Sequence, residues 1–439
     1  MRIMFNISIL FFFILFLTKN KKNLSIVFCF ILSIYSLYLD NLSMVFILLS
    51  IMLIAVSIKY NWKQTSYSRE FIVLLFLLLV ILIGVFTVDD LIKFYILFEF
   101  TLIPIFILIG VQGSRVEKIK ASFYFFIYTF TGSVLMLISI IKIYFLVGNT
   151  NFFYLYYLDL PSNLQSWFFL AFFLSLAVKI PMVPFHIWLP QAHVEAPMAG
   201  SVLLAGILLK LGGYGFIRFN PLFPISLKLY APIFIIISIV AIIYGALTTC
   251  RQSDMKRLIA YSSVSHMGLV TLGIFTNSWE GFLGGIIMML AHGFSSAALF
   301  LLIGLFYLRF GTRIIKYVKG LTTTMPIFSI VFFIITLANI GFPLTLNFVA
   351  ECLVIAAALK YTNILVAILI GVGMLLGVVY SFYLFIRVFF GVNSRMLIQR
   401  DFTVLEFQGL ALLTALVVLY GVSTDRLYNL QFIYNNFCN

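Results

Sequence analysis

Long apolar runs, separated by short polar segments, occupy most of the chain. A transmembrane helix needs about 20 consecutive apolar residues, and many of these runs approach that length. Hydropathy therefore predicts about fourteen membrane spans joined by short loops. The predicted spans, numbered in chain order, cover residues 3–18, 24–39, 42–59, 70–88, 91–111, 119–147, 165–188, 197–219, 228–249, 257–276, 281–308, 325–358, 363–391 and 404–423.

Composition supports an all-α polytopic membrane protein. Of the 439 residues, 63% are hydrophobic and 10% are charged, whereas soluble domains carry about 25% charged residues. We therefore expect a single transmembrane domain over residues 1–439. The apolar run that begins near Met1 has no small-residue cleavage site, so it is interpreted as the first span rather than a cleaved signal.

The basic residues behind the net charge of +14 predict an orientation. Loops after spans 1, 3, 5, 9, 11 and 13 are rich in Lys and Arg, whereas loops after spans 2, 4, 6 and 10 carry mainly Asp and Glu. Basic loops stay on the cytoplasmic or matrix side. Both termini are therefore expected on the opposite side, and no nucleic-acid ligand is indicated. The loop after span 8, with Arg218 and Lys228, is an exception.

Helix-breaking residues interrupt two of the predicted spans. Span 7 contains Pro181 and Pro184, and span 12 contains Gly341 and Pro343. Because the two breaks lie five spans apart, spans 4–8 and 9–13 are interpreted as two inverted repeats; two unrelated proline kinks are the alternative. The expected organisation is three N-terminal helices in 1–69, the first repeat in 70–220, the second in 228–391, and the last helix and tail in 392–439.

Six ionisable residues fall deep inside predicted spans, away from the span ends, and a charge at the bilayer centre costs at least about 2.5–3.5 kcal/mol. Lys, Glu and His side chains take up and release protons, so the set predicts a buried proton relay. The alternative is that each residue forms a structural salt bridge or a satisfied polar contact. The six are Glu99 in span 5, Lys179 in span 7, Lys210 in span 8, His266 in span 10, His292 in span 11 and Glu351 in span 12.

Three of the histidines are open to more than one interpretation. His186 and His193 lie near the end of span 7, where they either take part in the relay or face interfacial water. His292 precedes a glycine and small residues, so helix packing is an alternative to proton transfer. Other chemistries fail on spacing: the four cysteines stand far apart, and no GxxxxGK[ST] phosphate loop, dinucleotide fingerprint or paired haem histidines are visible.

Several long motifs resemble one protein family. The chain is similar, over about residues 85–390, to the antiporter-like membrane subunits of proton-pumping NADH:ubiquinone oxidoreductase, respiratory complex I. Glu351 matches the branch with a glutamate in span 12, where two other branches have lysine; the family's usual Gly-Glu pair is Ala350-Glu351 here. The motifs are KIPMVPFHIWLPQAHVEAPMAGSVLLAGILLKLGGYG, RQSDMKRLIAYSSVSHMGLV, FEFTLIPIFILIG and the AHG of span 11.

The resemblance implies a role for each buried ionisable residue. Glu99 and Lys179 would be paired charges that respond to a neighbouring subunit. Lys210, His266 and His292 would form the central relay, and Glu351 would end it.

The resemblance also implies an assembly. This chain would hold no cofactor, whereas NAD, FMN, Fe–S clusters and ubiquinone would bind other subunits. Its partners would be other complex I membrane subunits, especially two further antiporter-like subunits, together with lipids such as cardiolipin, and protons and water. The expected location is the mitochondrial inner membrane, or a bacterial plasma membrane. A subunit of a multisubunit cation/proton antiporter and a structural membrane spacer are the competing interpretations.

Overall fold

The structure is a computed structural model that describes residues 41–61, 68–113, 115–158, 160–392 and 400–423. Predicted spans 1 and 2 and the two termini lie outside these ranges. Within them the regular elements are helices. The α-helices are α1 (Asn41–Asn61), α2 (Ser68–Thr87), α3 (Leu91–Phe100), α4 (Leu102–Gln112), α5 (Lys118–Val147), α6 (Phe152–Tyr156), α7 (Ser162–Lys179), α8 (Trp188–Glu195), α9 (Met198–Leu203), α10 (Leu209–Phe219), α11 (Pro224–Cys250), α12 (Met255–Phe275), α13 (Trp279–Phe310), α14 (Leu321–Thr324), α15 (Pro326–Ile340), α16 (Leu346–Tyr361), α17 (Ile364–Phe389) and α18 (Val404–Val422).

In the described ranges, 10 helical segments are long and apolar enough to cross a membrane. They coincide with predicted spans 3–6, 8–11, 13 and 14, so the structure confirms an all-α polytopic fold. The end points differ from the predicted ones by a few residues, as expected where helix ends fray. The remaining two described spans, 7 and 12, are the ones for which the sequence predicts an interruption.

Both predicted interruptions are present. The first half of span 7 is α7, which ends at Lys179; the chain then passes Pro181 and Pro184 before α8 begins. The first half of span 12 is α15, and Gly341 follows it in the left-handed conformation, with φ of 79°. Proline lacks the N–H that an α-helix needs, and glycine tolerates positive φ, so each break has a local cause.

Span 8 contains a feature that hydropathy does not predict. A π-helical turn, Leu204–Leu208, joins α9 to α10. At Gly206 a Cβ would overlap the side chain of Leu53 on α1, so the glycine permits close packing of these two helices. π-Turns inside α-helices occur frequently at functional sites, and this one lies directly before Lys210.

The helices divide into a buried centre and an exposed periphery. In an apolar stretch within α10 and its flanking segments, and in one within α13, 100% of the residues are buried. In such apolar stretches of α5 and α17, 28% and 22% of the residues are buried. The exposed faces of α5 and α17 carry large apolar side chains such as Ile138 and Leu375. The centre therefore holds the helices that bear Lys210 and His292, away from any lipid-facing surface.

Candidate functional site

A lysine and a histidine meet at the centre of the bundle. Nζ of Lys210, on α10, lies 2.8 Å from Nδ1 of His292, on α13. The same ammonium donates to the carbonyl oxygen of Ala205, in the π-turn. Lys210 is 0% exposed and His292 is 1% exposed. No carboxylate forms an ion pair with Lys210 in the part of the chain that the structure describes, so its proton can leave without breaking a salt bridge.

His266 extends this pair towards span 12. Its ring, on α12, lies 5.4 Å from the ring of His292, measured between centroids. The side chain of Asn339, at the end of α15, lies beside it. Neither ring nitrogen of His266 has a hydrogen-bond partner among the described residues. The two imidazoles are therefore not directly hydrogen-bonded, and a bridging group such as water would be needed to connect them.

Glu99 and Lys179 lie within electrostatic range of each other but do not touch. Nζ of Lys179 lies 4.1 Å from the ring centroid of Phe98 and 3.5 Å from the Phe98 carbonyl oxygen. The carboxylate oxygens of Glu99 are buried and have no hydrogen-bond partner in the described ranges. The two charges act on each other without the 4.0 Å contact of an ion pair. Glu99 and Lys179 therefore interact electrostatically at a distance and do not form a salt bridge.

Glu351 lies against the break of span 12. Its side chain, on α16, is 3% exposed, and Oε2 has no hydrogen-bond partner among the described residues. A Cβ at Gly341 would overlap this carboxylate. The left-handed glycine therefore both turns the chain and leaves the space that the carboxylate occupies.

Two of the three histidines left open by the sequence, His193 and His186, lie in different surroundings. His193 is 0% exposed, stacks on Phe300 with ring centroids 4.6 Å apart, and lies within electrostatic range of Lys210 and Lys256. His186 packs edge-on against Tyr244, at 5.4 Å between centroids. His193 therefore belongs with the central cluster, and His186 belongs to an aromatic contact.

Lys256 and Arg313 lie outside the predicted spans, in the basic loops, but both are buried beside the end of α8. Nζ of Lys256 donates to the Ala196 carbonyl oxygen at 2.6 Å, and Nη1 of Arg313 donates to the Val194 carbonyl oxygen at 2.7 Å. Burial lowers the pKa of the Arg313 guanidinium. Burial raises the pKa of the Glu195 carboxyl, and the nearby Arg115 and Arg313 oppose that increase.

Proton uptake and release is the chemistry that these Lys, His and Glu side chains offer. Within the described ranges, no three His, Cys, Asp or Glu side chains are grouped so that they could hold a metal ion. Cys250 and Cys352 are free cysteines. In the buried line of Lys210, His292 and His266, the direct contact is between Lys210 and His292; Glu351 lies at one break and Lys179 at the other.

The sequence matches the family described as "NADH:quinone oxidoreductase/Mrp antiporter, TM" over residues 88–377. The chain belongs to this family. The matched region contains all six buried ionisable residues singled out above. The resemblance of the motifs is therefore confirmed over most of the chain.

Individual members of the family show the same relationship. NADH-ubiquinone oxidoreductase chain 4 of Metridium senile is 52% identical over 389 residues, which cover 88% of this chain and 79% of that protein. A chain in the structure of respiratory complex I from Thermus thermophilus with bound NADH has a TM-score of 0.88 at 26% identity, covering 99% of both chains. A chain of the Mrp complex from Dietzia sp. DQ12-45-1b has a TM-score of 0.78 at 22% identity, covering 89% and 82%, and shares the fold.

The buried amide one helical turn before Glu351 was not predicted from the sequence. Asn347 lies on α16, one turn before Glu351, and is 0% exposed. An amide does not titrate, so Asn347 was not among the ionisable residues expected in the relay. The available signal was an amide four residues before a buried glutamate, since residues four apart share a helix face.

Proposed function

We propose that this chain is the proton-translocating, antiporter-like subunit of respiratory complex I that corresponds to chain 4. The contact of 2.8 Å between Lys210 and His292 carries the proposal, because it joins two proton-exchanging groups in a chain of this family. NADH oxidation and ubiquinone reduction take place in other subunits, which hold NAD, FMN and the Fe–S clusters. This chain contributes to the enzyme activity of the complex by moving protons.

In the proposed relay a proton on Nζ of Lys210 passes to Nδ1 of His292. It then passes to His266 and on to Glu351, each group returning to its starting form when the next proton arrives. Lys179 and Glu99 act on this line by their charges. A change in the field that the neighbouring subunit imposes on Glu99 shifts Lys179 and, through it, the proton affinity of Lys210.

His193 is the proposed point of supply for Lys210. It lies in electrostatic range of both Lys210 and Lys256, and Lys256 is close to the basic loops. Both of its ring nitrogens are without a hydrogen-bond partner among the described residues. A proton from the side of the membrane on which the Lys- and Arg-rich loops lie reaches Lys210 through this imidazole.

The proposed organisation is two inverted repeats, residues 70–220 and 228–391, with residues 1–69 before them and 392–439 after them. The interruptions after Lys179 and at Gly341 support it, since each lies in the fourth span of its unit. Both termini are assigned to the intermembrane-space side of the mitochondrial inner membrane. The proposed partners are the two other antiporter-like subunits and lipids such as cardiolipin, and the apolar exposed faces of α5 and α17 are suitable for such contacts.

Purification distinguishes this function from the alternatives. Co-isolation of the chain with NADH dehydrogenase activity supports the proposal, whereas sodium-dependent proton exchange without NADH oxidation supports a cation/proton antiporter. The decisive measurement is NADH-driven proton uptake by vesicles that contain the assembled complex. A Lys210→Ala complex that assembles and retains normal uptake would show that the chain is a structural spacer.

A further inference from the structure

Asn347 is a buried amide whose hydrogen-bonding groups are unused. The residue is 0% exposed, and neither Oδ1 nor Nδ2 has a hydrogen-bond partner among the described residues. Most buried polar side-chain atoms in proteins are hydrogen-bonded, so an unpartnered amide needs a specific reason. An amide offers both donors and acceptors, which suits it to hold water.

Two contacts fix the register of α16 against its neighbours. Cγ2 of Val354 lies 3.2 Å from the position that a Cβ would take at Gly273, on α12, and 3.0 Å from the equivalent position at Gly284, on α13. Further along, Nζ of Lys360 donates to Oε1 of Glu280 at 3.0 Å. The end of α16 therefore lies beside the beginning of α13, and these two helices run antiparallel.

This register places Asn347 at the level of the histidines. Asn347 precedes Val354 by two helical turns, or about 10 Å along α16. The same distance leads from Gly273 to His266 along α12, and from Gly284 to the vicinity of His292 along α13. Asn347 and Val354 share a face of α16, because residues seven apart lie on the same side of a helix. That face is directed towards α12 and α13.

Glu351 lies on the same face, one turn beyond Asn347 and farther from the level of the histidines. Its Oε2 is also without a hydrogen-bond partner in the described part of the chain, as are both nitrogens of His266. Three polar side chains with unused groups therefore follow one another: His266, Asn347 and Glu351.

We infer that Asn347 is a positioning residue that holds water between His266 and Glu351 and so connects the central relay to its last member. This inference rests on the proposed proton-transfer function. The amide itself is not protonated. A proton leaves the imidazolium nitrogen of His266 for a water oxygen as another O–H bond of that water breaks, and this second proton binds the Glu351 carboxylate. Water is regenerated in the step.

The test uses the assembled complex in vesicles and compares two substitutions. Asn347→Leu keeps a branched side chain and removes the polar groups, whereas Asn347→Ser keeps a hydroxyl and leaves room for water. Val354→Ala is the matched control, since it weakens packing of the same face without removing a polar group. NADH-driven proton uptake, its pH profile and the thermal stability of the complex are measured for each.

The expected result is a loss of proton uptake of about tenfold or more in Asn347→Leu, because the water that carries the proton is no longer held in place. Asn347→Ser retains most of the uptake, and Val354→Ala changes stability without altering the pH profile. Uptake and a pH profile like those of the unsubstituted complex in Asn347→Leu would overturn the inference. So would loss in both variants in proportion to lost stability, or failure of both to assemble, since Asn347 would then be a folding residue.

Parallel variants separate this inference from the proposed function. His266→Ala and Glu351→Gln remove groups that the proposed relay itself requires. If these two abolish proton uptake and Asn347→Leu does not, the relay stands and the role of Asn347 is wrong. If all three assemble and transport protons normally, the proposed function fails as well.

Discussion

Lys210 and His292 face each other across the two most buried spans, with 2.8 Å between Nζ and Nδ1. The contact joins side chains separated by 82 positions in the chain. We expect two groups at this distance to exchange a proton along one hydrogen bond and to act as a unit.

The first prediction concerns this unit. Lys210→Ala and His292→Ala should each lower NADH-driven proton uptake by about tenfold or more, since each removes one end of a proton-transfer contact. The double variant should lose little beyond either single one, because a relay interrupted once is already interrupted. Proton uptake by vesicles with equal amounts of assembled complex measures all three. Losses that multiply in the double variant would contradict a shared path.

Glu99→Gln provides the second prediction. The substitution keeps the size of the side chain and removes a charge that acts on Lys179 from a distance. Proton uptake should fall severalfold while the complex still assembles. Glu70→Gln is the matched control, since Glu70 is exposed at the beginning of α2 and its substitution should change stability by no more than about 0.5 kcal/mol. Equal proton uptake in the two variants would mean that Glu99 is only a structural group.

Local sequence contains what is needed to predict the spans and their breaks. The length of the apolar runs predicted α1 and α5, and a glycine shortly before a proline predicted the end of α15. These features depend on residues that are neighbours in the sequence. The partner of Lys210 could not be predicted in the same way. Its contact with His292 arises from the packing of α10 against α13, which no local pattern specifies.

Two features of the site escaped sequence reasoning for different reasons. The π-turn Leu204–Leu208 depends on the close approach of α1 at Gly206, and a hydropathy window does not detect it. Asn347 was missed because an amide in an apolar run resembles a helix-packing residue. Only the structure shows that its amide is buried and that the amide oxygen and nitrogen have no hydrogen-bond partner among the described residues.

The third prediction concerns the break of span 12. Gly341→Ala should destabilise the protein by about 1–2 kcal/mol through the left-handed backbone alone, and the added Cβ should also displace the Glu351 carboxylate. Both proton uptake and thermal stability should fall. Gly371→Ala is the control: this glycine lies inside α17, and apart from its own stretch of helix no atom lies within 4 Å of an added Cβ. It should be neutral or stabilise by up to about 1 kcal/mol, since alanine favours a helix. Equal melting temperatures for the two variants would contradict this account.

The fourth prediction concerns Arg218, which belongs to the loop after span 8 that departs from the alternation of basic and acidic loops. Arg218 is 5% exposed; Nη2 donates to Oγ of Ser43, on α1, at 3.0 Å, and Nε donates to the Tyr214 hydroxyl at 3.1 Å. The charge of Arg218 therefore lies inside the bundle and does not contribute to the pattern of basic loops that predicts orientation. Arg218→Met should lower stability by about 3 kcal/mol or more, because each hydrogen bond to a charged group contributes about 1.5–3 kcal/mol. Lys228→Met, at an exposed position in the same region, should change it by no more than about 0.5 kcal/mol. Thermal unfolding of the two variants measures the difference, and equal midpoints would show that the buried arginine does not fasten α10 to α1.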